Sequence, residues 1–208
     1  MTELGGSDYP DKRERWNMAQ LVFLGGFWES AGGIGVSRVE GRKGRWEYQP
    51  YMNYGANDEA LIRALMGVYG GTFVSGTNSW EWQIAGQEAI NLAKVMTEAN
   101  EYKVWIENPE FVAGVMQATA SVYWVKHRGR GTVYPNAKII SKNDSLLTAL
   151  EGEFGGKKER SGLGGRMLVL NATQTRAILD FSGDHLLYRN RTVKELRGET
   201  GFAPRPFE

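Results

Sequence analysis

The chain repeats itself. Pro50 to Gly71 reads PYMNYGANDEALIRALMGVYGG and Pro135 to Gly156 reads PNAKIISKNDSLLTALEGEFGG, aligned without a gap at an offset of 85 residues. Seven of these 22 positions are identical: Pro50/Pro135, Leu61/Leu146, Ala64/Ala149, Leu65/Leu150, Gly67/Gly152, Gly70/Gly155 and Gly71/Gly156. Outside this core the match continues with small drifts. Gly26 pairs with Gly114 at an offset of 88, and Tyr102-Lys103 pairs with Tyr188-Arg189 at 86. Such drifts are loop-length differences in a diverged duplication. The repeat constrains the fold more than any local propensity, because both copies must build the same supersecondary unit.

Each copy reads as one α+β unit. A helix near Asn17–Ala31, and again near Pro109–Ala120, comes first. Two strands follow, Ile34–Val39 with Arg45–Asn53 in the first copy and Ser121–His127 with Thr132–Ile140 in the second. A second helix carries its apolar stripe on Leu61, Ile62, Leu65 and Val68, or on Leu146, Leu147, Leu150 and Phe154. Asn57 or Asp58 caps the first of these helices and Asn143 the second, and a Gly-Gly pair stops each. Two more strands end each sheet, the second being Ser79–Ile84 or Arg166–Leu170. In the former, Trp80, Trp82 and Ile84 alternate with Glu81 and Gln83, the pattern of a half-buried strand. A closing helix near Gln87–Glu98 or Thr173–Asp184 completes the unit.

The first helix of each copy ends in a run of small and apolar residues: LGGFWESAG over Leu24–Gly32 and VAGVMQATA over Val112–Ala120. Gly26 and Ser30 lie four apart and share a helix face, as do Gly114 and Ala118. Small residues on one face permit close approach of a second helix, and Gly25 and Ala113 extend that surface. Paired in this way, and each followed by the same strands and helices, the two stretches resemble the LAGLIDADG helices of homing endonucleases. The resemblance covers about Met18 to Leu196. It implies an α+β fold of two pseudo-symmetric αββαββα repeats forming a LAGLIDADG homing-endonuclease-like saddle. The divisions are then 1–15 as an N-terminal tail, 16–104 and 105–197 as the repeats, and 198–208 as a C-terminal tail.

The same resemblance raises a chemical question. The family supplies one metal-binding acid from the C-terminal end of each motif helix. Those positions here are Ala31 and Thr119. Cutting a phosphodiester usually needs metal ions held by carboxylates, and a methyl and a hydroxyl cannot replace two of them. Glu29, the nearest acid, is two residues earlier, about 200° around the helix, and its counterpart is Gln117. The expectation is a site with no metal, no cofactor and no catalytic residue. Lys103 and Arg189 stand where the family often has a basic residue near the scissile phosphate.

Composition narrows the classes further. The chain has no cysteine and only two histidines, His127 and His185, which excludes disulfides, thiol catalysis and thiolate zinc sites. No apolar run is long enough to span a membrane and Met1 to Arg15 lacks the apolar core of a secretory signal, so the expected location is intracellular, cytoplasmic or organellar. Net charge is only +1. It is divided unequally, with residues 1–104 net −3 and residues 105–208 net +4. Positive charge gathers at Lys126, Arg128 and Arg130, at Lys157, Lys158 and Arg160, and at Arg189 and Arg191. These clusters can attract phosphates, or can be ordinary solvated ends of elements.

In the family the strands form a saddle over the nucleic-acid groove. Alternation with Ile34, Val36 and Val122 inward would turn Gly35, Ser37 and Val39, and Tyr123, Val125 and His127, outward. Arg45, Glu47, Gln49, Tyr51 and Asn53 share a face, as do Asn136, Lys138 and Ile140. Arg45, Gln49, Lys138 and Lys103 join the basic clusters as candidate nucleic-acid contacts. Glu47 and Glu81 repel phosphates. A mixed polar and aromatic face suits single-stranded or folded RNA better than base readout in a DNA groove. The expected function is therefore a catalytically inactive LAGLIDADG-type nucleic-acid-binding protein, RNA favoured over DNA, in a splicing-cofactor or ribonucleoprotein role. It would act as a monomeric pseudo-dimer. The alternatives are a structural subunit of a larger assembly such as a ribosome, contacting protein subunits through the old saddle, and an active or DNA-binding homing endonuclease relative.

Overall fold

The computed structural model describes residues 15–31, 33–40, 46–75, 79–100, 105–126, 133–162 and 165–199. The first repeat runs α1 (Met18–Ala31), β1 (Gly33–Glu40), β2 (Trp46–Ala56), α2 (Glu59–Tyr69), β3 (Thr72–Ser75), β4 (Trp80–Ala85) and α3 (Gln87–Asn100). After a 3-10 turn at Trp105–Glu107 the second repeat follows as α4 (Pro109–Thr119), β5 (Ala120–Lys126), β6 (Val133–Ser141), α5 (Asp144–Phe154), β7 (Lys157–Arg160), β8 (Arg166–Leu170) and α6 (Ala172–Ser182). A 3-10 turn at Gly183–His185 and a short helix α7 (Arg191–Leu196) close it. Each repeat has one four-stranded antiparallel sheet, in order β1-β2-β4-β3 and β5-β6-β8-β7. The expected order of elements is found in both copies.

Local chemistry sets the boundaries. The Asp58 carboxylate accepts from the Ala60 amide at 3.0 Å and the Asn143 carbonyl oxygen from the Leu146 amide at 3.1 Å, so α2 and α5 begin alike. Gly70 and Gly155 end those helices at φ 75° and 74°, and Gly71 and Gly156 stay at positive φ, a region costly for any residue with a Cβ. Helix α6 starts with a reciprocal capping box between Asn171 and Gln174.

The two motif helices, α1 and α4, pack against each other at the centre. At Gly26 an added Cβ would overlap the Phe111 carbonyl, and at Gly114 it would overlap the Phe23 carbonyl. The backbones therefore touch where the sequence places its two glycines. Ser30 is buried in the same seam and turns its hydroxyl back to the Gly26 and Phe27 carbonyls at 3.0 Å each. Ala118, half-buried, packs against the first repeat's core. Gly25 serves another contact. Its missing side chain makes room for the Asn100 amide of α3, which donates to the Leu21 and Met96 carbonyls. The expectation that Gly25 widens the α1–α4 seam is thus corrected.

Each sheet lies on its own core. The first is aromatic, with Trp82, Tyr69 and Phe27 fully buried, and the second aliphatic, with Leu147, Leu150, Leu168 and Ile139. The halves exchange residues across the seam. Ala113 of α4 joins the first core and Val22 of α1 the second. One expected core residue falls outside. Val36 lies across from Pro50 on the face that holds Met52, yet is 64% exposed. Trp124, opposite Pro135, has the equivalent place in repeat 2, where its indole donates to Glu195 of α7 at 3.1 Å. Repeat 1 has no α7 among its described residues, so Val36 and Tyr48, 74% exposed, stay open.

Gly26→Ala or Gly114→Ala should lower unfolding stability by roughly 1–3 kcal/mol, because the carbonyl opposite is backbone and cannot move aside. Gly67→Ala should raise it by about 0.5–1 kcal/mol, since Gly67 is in mid-helix with nothing near its missing Cβ. Urea midpoints would check the contrast; equal effects at Gly26 and Gly67 would contradict the packing.

Candidate nucleic-acid interface

The α1–α4 pair lies behind the sheets and leaves their other face open. Side-chain alternation sorts that face. In repeat 1 it carries Gly35 and Val39 of β1, Glu47, Gln49, Tyr51 and Asn53 of β2, and Glu81 and Gln83 of β4. In repeat 2 it carries Ser121, Tyr123 and Val125 of β5, Tyr134, Asn136, Lys138 and Ile140 of β6, Met167 and Val169 of β8, and Lys157 and Glu159 of β7. The shared face read from sequence is therefore present. Asn53 donates to Glu81 at 3.1 Å, and the Lys138 ammonium sits 5.5 Å from the centre of the Tyr123 ring. Gln49 is held by a neighbour as well.

The basic candidates separate by face. Lys138 and Lys157 point to the open side, Lys157 with Glu159 at 3.1 Å. Lys158 points to the helix side. It donates to Thr148 at 2.7 Å and lies 3.7 Å from Asp144 and 4.0 Å from Glu151, so it ties β7 to α5. Arg160 shares the helix side with it. Lys126 ends β5 on the side of Val122 and Trp124, away from the open face. Arg189 is spent inside repeat 2: it pairs with Glu199 at 2.6 Å and donates to the Gly183 and Asp184 carbonyls. That clamp holds Glu199, a residue the sequence reading places in the tail. Arg191 pairs with Glu195 at 2.7 Å, one turn along α7. Lys158, Arg189 and Arg191 thus have local acids that account for them, which the clustering of charge along the sequence cannot reveal. Arg45, Lys103, Arg128 and Arg130 lie outside the described residues.

Helices α1 and α4 end side by side at Ala31 and Thr119, both in the wall of one cleft of about 480 Å³ with Glu29, Ser141 and Lys142. The Thr119 hydroxyl donates to the Val115 carbonyl at 3.1 Å, within its own helix. The Glu29 carboxylate accepts from Asn143 at 3.1 Å, a bond between the repeats. Its counterpart Gln117 instead accepts from the Tyr188 amide at 2.9 Å. Among the described residues no three acidic or imidazole side chains converge anywhere. The lining of this cleft thus offers one carboxylate, Glu29, beside the Thr119 hydroxyl.

A second cleft, about 600 Å³, lies at the other side of the helix ends, between Asp58, Gln117, Thr119 and Tyr188. Tyr54 spans it, donating to the Ala118 carbonyl at 2.9 Å. Burial, then the nearby Asp58, pushes the Tyr54 phenol up to about 12. Burial likewise raises Tyr69, whose hydroxyl donates to the Gln20 carbonyl at 2.7 Å. Tyr188 is raised by burial and by its hydrogen bond and charge contact with Asp58. No described helix is long and apolar enough to cross a membrane.

A raised phenol stabilises the fold fully below its unfolded value, near 10, and loses that contribution as pH climbs through the folded value. Wild-type stability should therefore fall between pH 10 and about 12 more steeply than that of Tyr54→Phe. At neutral pH the variant should be about 1 kcal/mol less stable for its lost bond. Urea unfolding across that pH range checks both; parallel curves would contradict the buried position of the hydroxyl.

No family model matches the sequence, and no curated protein matches it. Solved structures do match. The LAGLIDADG homing endonuclease I-GzeII in complex with its DNA target superposes with a TM-score of 0.59 at 11% identity, over 85% of this chain and 87% of that one. The meganuclease I-AabMI bound to uncleaved DNA gives 0.61 at 14% identity, over 85% and 87%. I-CpaMI bound to uncleaved DNA gives 0.60 at 12% identity, over 92% and 95%. The paired glycine helices, the two four-stranded sheets and these superpositions together establish that this chain has the LAGLIDADG homing-endonuclease fold.

Proposed function

We propose that the protein binds nucleic acid on the open face of its two sheets and does not cut it. The observation that carries this reading is the chemistry where the motif helices end. Ala31 offers a methyl there, and Thr119 a hydroxyl already bonded to its own helix. Neither side chain is a carboxylate that would hold a divalent ion, while the sheets that would carry nucleic acid are intact. The DNA-bound proteins of like fold support the binding of nucleic acid.

RNA is the favoured ligand. Among the described residues the open face offers Tyr51, Tyr123 and Tyr134 with Gln49, Asn53 and Asn136, but only Lys138 and Lys157 as cations, and Glu47 and Glu81 oppose phosphate. Aromatic and amide groups suit unstacked bases of folded RNA, whereas a DNA duplex is held chiefly through its backbone charge. The role would be that of a splicing cofactor or ribonucleoprotein component inside the cell. The exposed Val36 and Tyr48 favour a second reading, a structural subunit docking protein neighbours.

Fluorescence anisotropy with a structured RNA and a matching DNA duplex, over a range of salt, tests the binding. Log affinity should fall with log salt, and the RNA should bind more tightly. Lys138→Ala should reduce the slope by about one unit, whereas Lys158→Ala should leave it nearly unchanged and lower stability instead. Incubation with magnesium should yield no site-specific cleavage. Reproducible specific cutting, or binding with no salt dependence, would overturn the proposal; tighter binding of the duplex would overturn the RNA preference.

A further inference from the structure

The register of β7 and β8 sets Arg160 directly across from Arg166. Both point to the helix side of the sheet, since Lys158, two residues before Arg160, faces the buried Leu168. Like charges directly opposite on one face of a strand pair are destabilising. Lys142, in the turn between β6 and α5, lines the same cleft as the two arginines, an open trough of about 560 Å³. The acids nearby do not balance this charge. Asp144 is shared between Arg166, at 3.2 Å, and Lys158, at 3.7 Å, and Glu151 stands 4.0 Å from Lys158 alone. Among the described residues Lys142 and Arg160 make no ion pair with an acid.

The first repeat is an internal control. Equivalent register positions there are Ser75 for Arg160 and Trp80 for Arg166, and Asn57 stands for Lys142. Trp80 stacks on Phe73 at 5.2 Å between ring centres. The same backbone is therefore built without any cation at these three places. The cations of repeat 2 are not needed for the turn or the strand end. Their surplus charge is a standing electrostatic cost that a bound anion relieves.

The trough also has a direction. Lys142 and Gly165 belong both to it and to the cleft that reaches Ala31 and Thr119. A cationic track thus leads from the ends of the motif helices to the outer end of repeat 2. Guanidinium groups beside an ammonium suit phosphate oxygens, which accept paired hydrogen bonds from arginine. We propose that Lys142, Arg160 and Arg166 form a phosphate-binding groove that holds the backbone of the nucleic acid as it leaves the open face. This rests on the binding reading above and extends it: one end of the pseudo-symmetric saddle grips phosphate and the other does not, so the ligand binds in one polarity.

The test uses the full chain, the same RNA and DNA probes, and the double variant Lys142→Ala/Arg160→Ala. Arg166 and Lys158 stay in place because they hold Asp144. Asn57→Ala/Ser75→Ala is the control at the equivalent place, and Lys94→Ala/Arg176→Ala removes two cations elsewhere. Thermal unfolding confirms that each variant folds. The groove predicts a fall of about two units in the salt slope for Lys142→Ala/Arg160→Ala, with at least a tenfold loss of affinity at low salt, and a much smaller change in both controls. An unchanged slope in that variant, or an equal fall on removing Lys94 and Arg176, overturns the groove and leaves the binding reading standing. A wild type with no salt-dependent binding removes the binding reading itself, and the groove with it.

Discussion

Everything in this molecule is positioned by the contact between two helix backbones. Where Gly26 meets Phe111 and Gly114 meets Phe23, no side chain separates α1 from α4. That close approach brings two otherwise complete units together and lets each lend a residue to the other's core, Val22 in one direction and Ala113 in the other. It also leaves both helices ending beside each other, with a sheet on either side. Those ends carry Ala31 and Thr119, and the stability of the scaffold comes from the seam and the two cores.

Pseudo-symmetry of backbone has been kept while chemistry has diverged. Tyr54, Tyr69 and Trp82 fill the first core where Ile139, Phe154 and Leu168 fill the second. Each large aromatic needs a partner for its polar atom, and the Trp82 indole and Tyr69 hydroxyl find the Gly70 and Gln20 carbonyls at 2.7 Å each. The helix ends differ too. Glu29 crosses to Asn143 in the other repeat, but Gln117 is met by the Tyr188 amide from its own repeat. Surface charge follows the same division at one matched place, where Lys142, Arg160 and Arg166 of the second repeat stand opposite Asn57, Ser75 and Trp80 of the first. Such asymmetry turns a two-fold scaffold into a surface with distinct ends.

Much of the fold was legible in the sequence because the signals are local and repeated. Gly-Gly pairs at fixed spacing mark two helix ends, Asn143 and Asp58 mark two starts, and small residues four apart mark the seam. Short α7 was not foreseen, although Asn190 caps it, because six residues carry little periodicity. No equivalent of it is found among the described residues of repeat 1, which is why alternation put Val36 on the proper side of β1 yet wrongly in the core: alternation fixes a face, not what covers it. The site was less legible. Charge clustered along the chain does not tell which face a side chain takes or which acid meets it. Lys157 and Lys158 are neighbours in sequence but point to opposite sides of the sheet, and Arg189 is consumed by Glu199 ten residues later. Lys142 and Arg166, absent from the candidates drawn from sequence, join Arg160 only through the β6–β8–β7 register.

If nucleic acid lies on the open face of the sheets, ultraviolet crosslinking of the protein to the nucleic acid that accompanies it, followed by mass spectrometry of the crosslinked peptides, should give crosslinks at Tyr51, Tyr123 and Tyr134. Crosslinks confined to Tyr48 and Trp105, which are exposed away from that face, would contradict it.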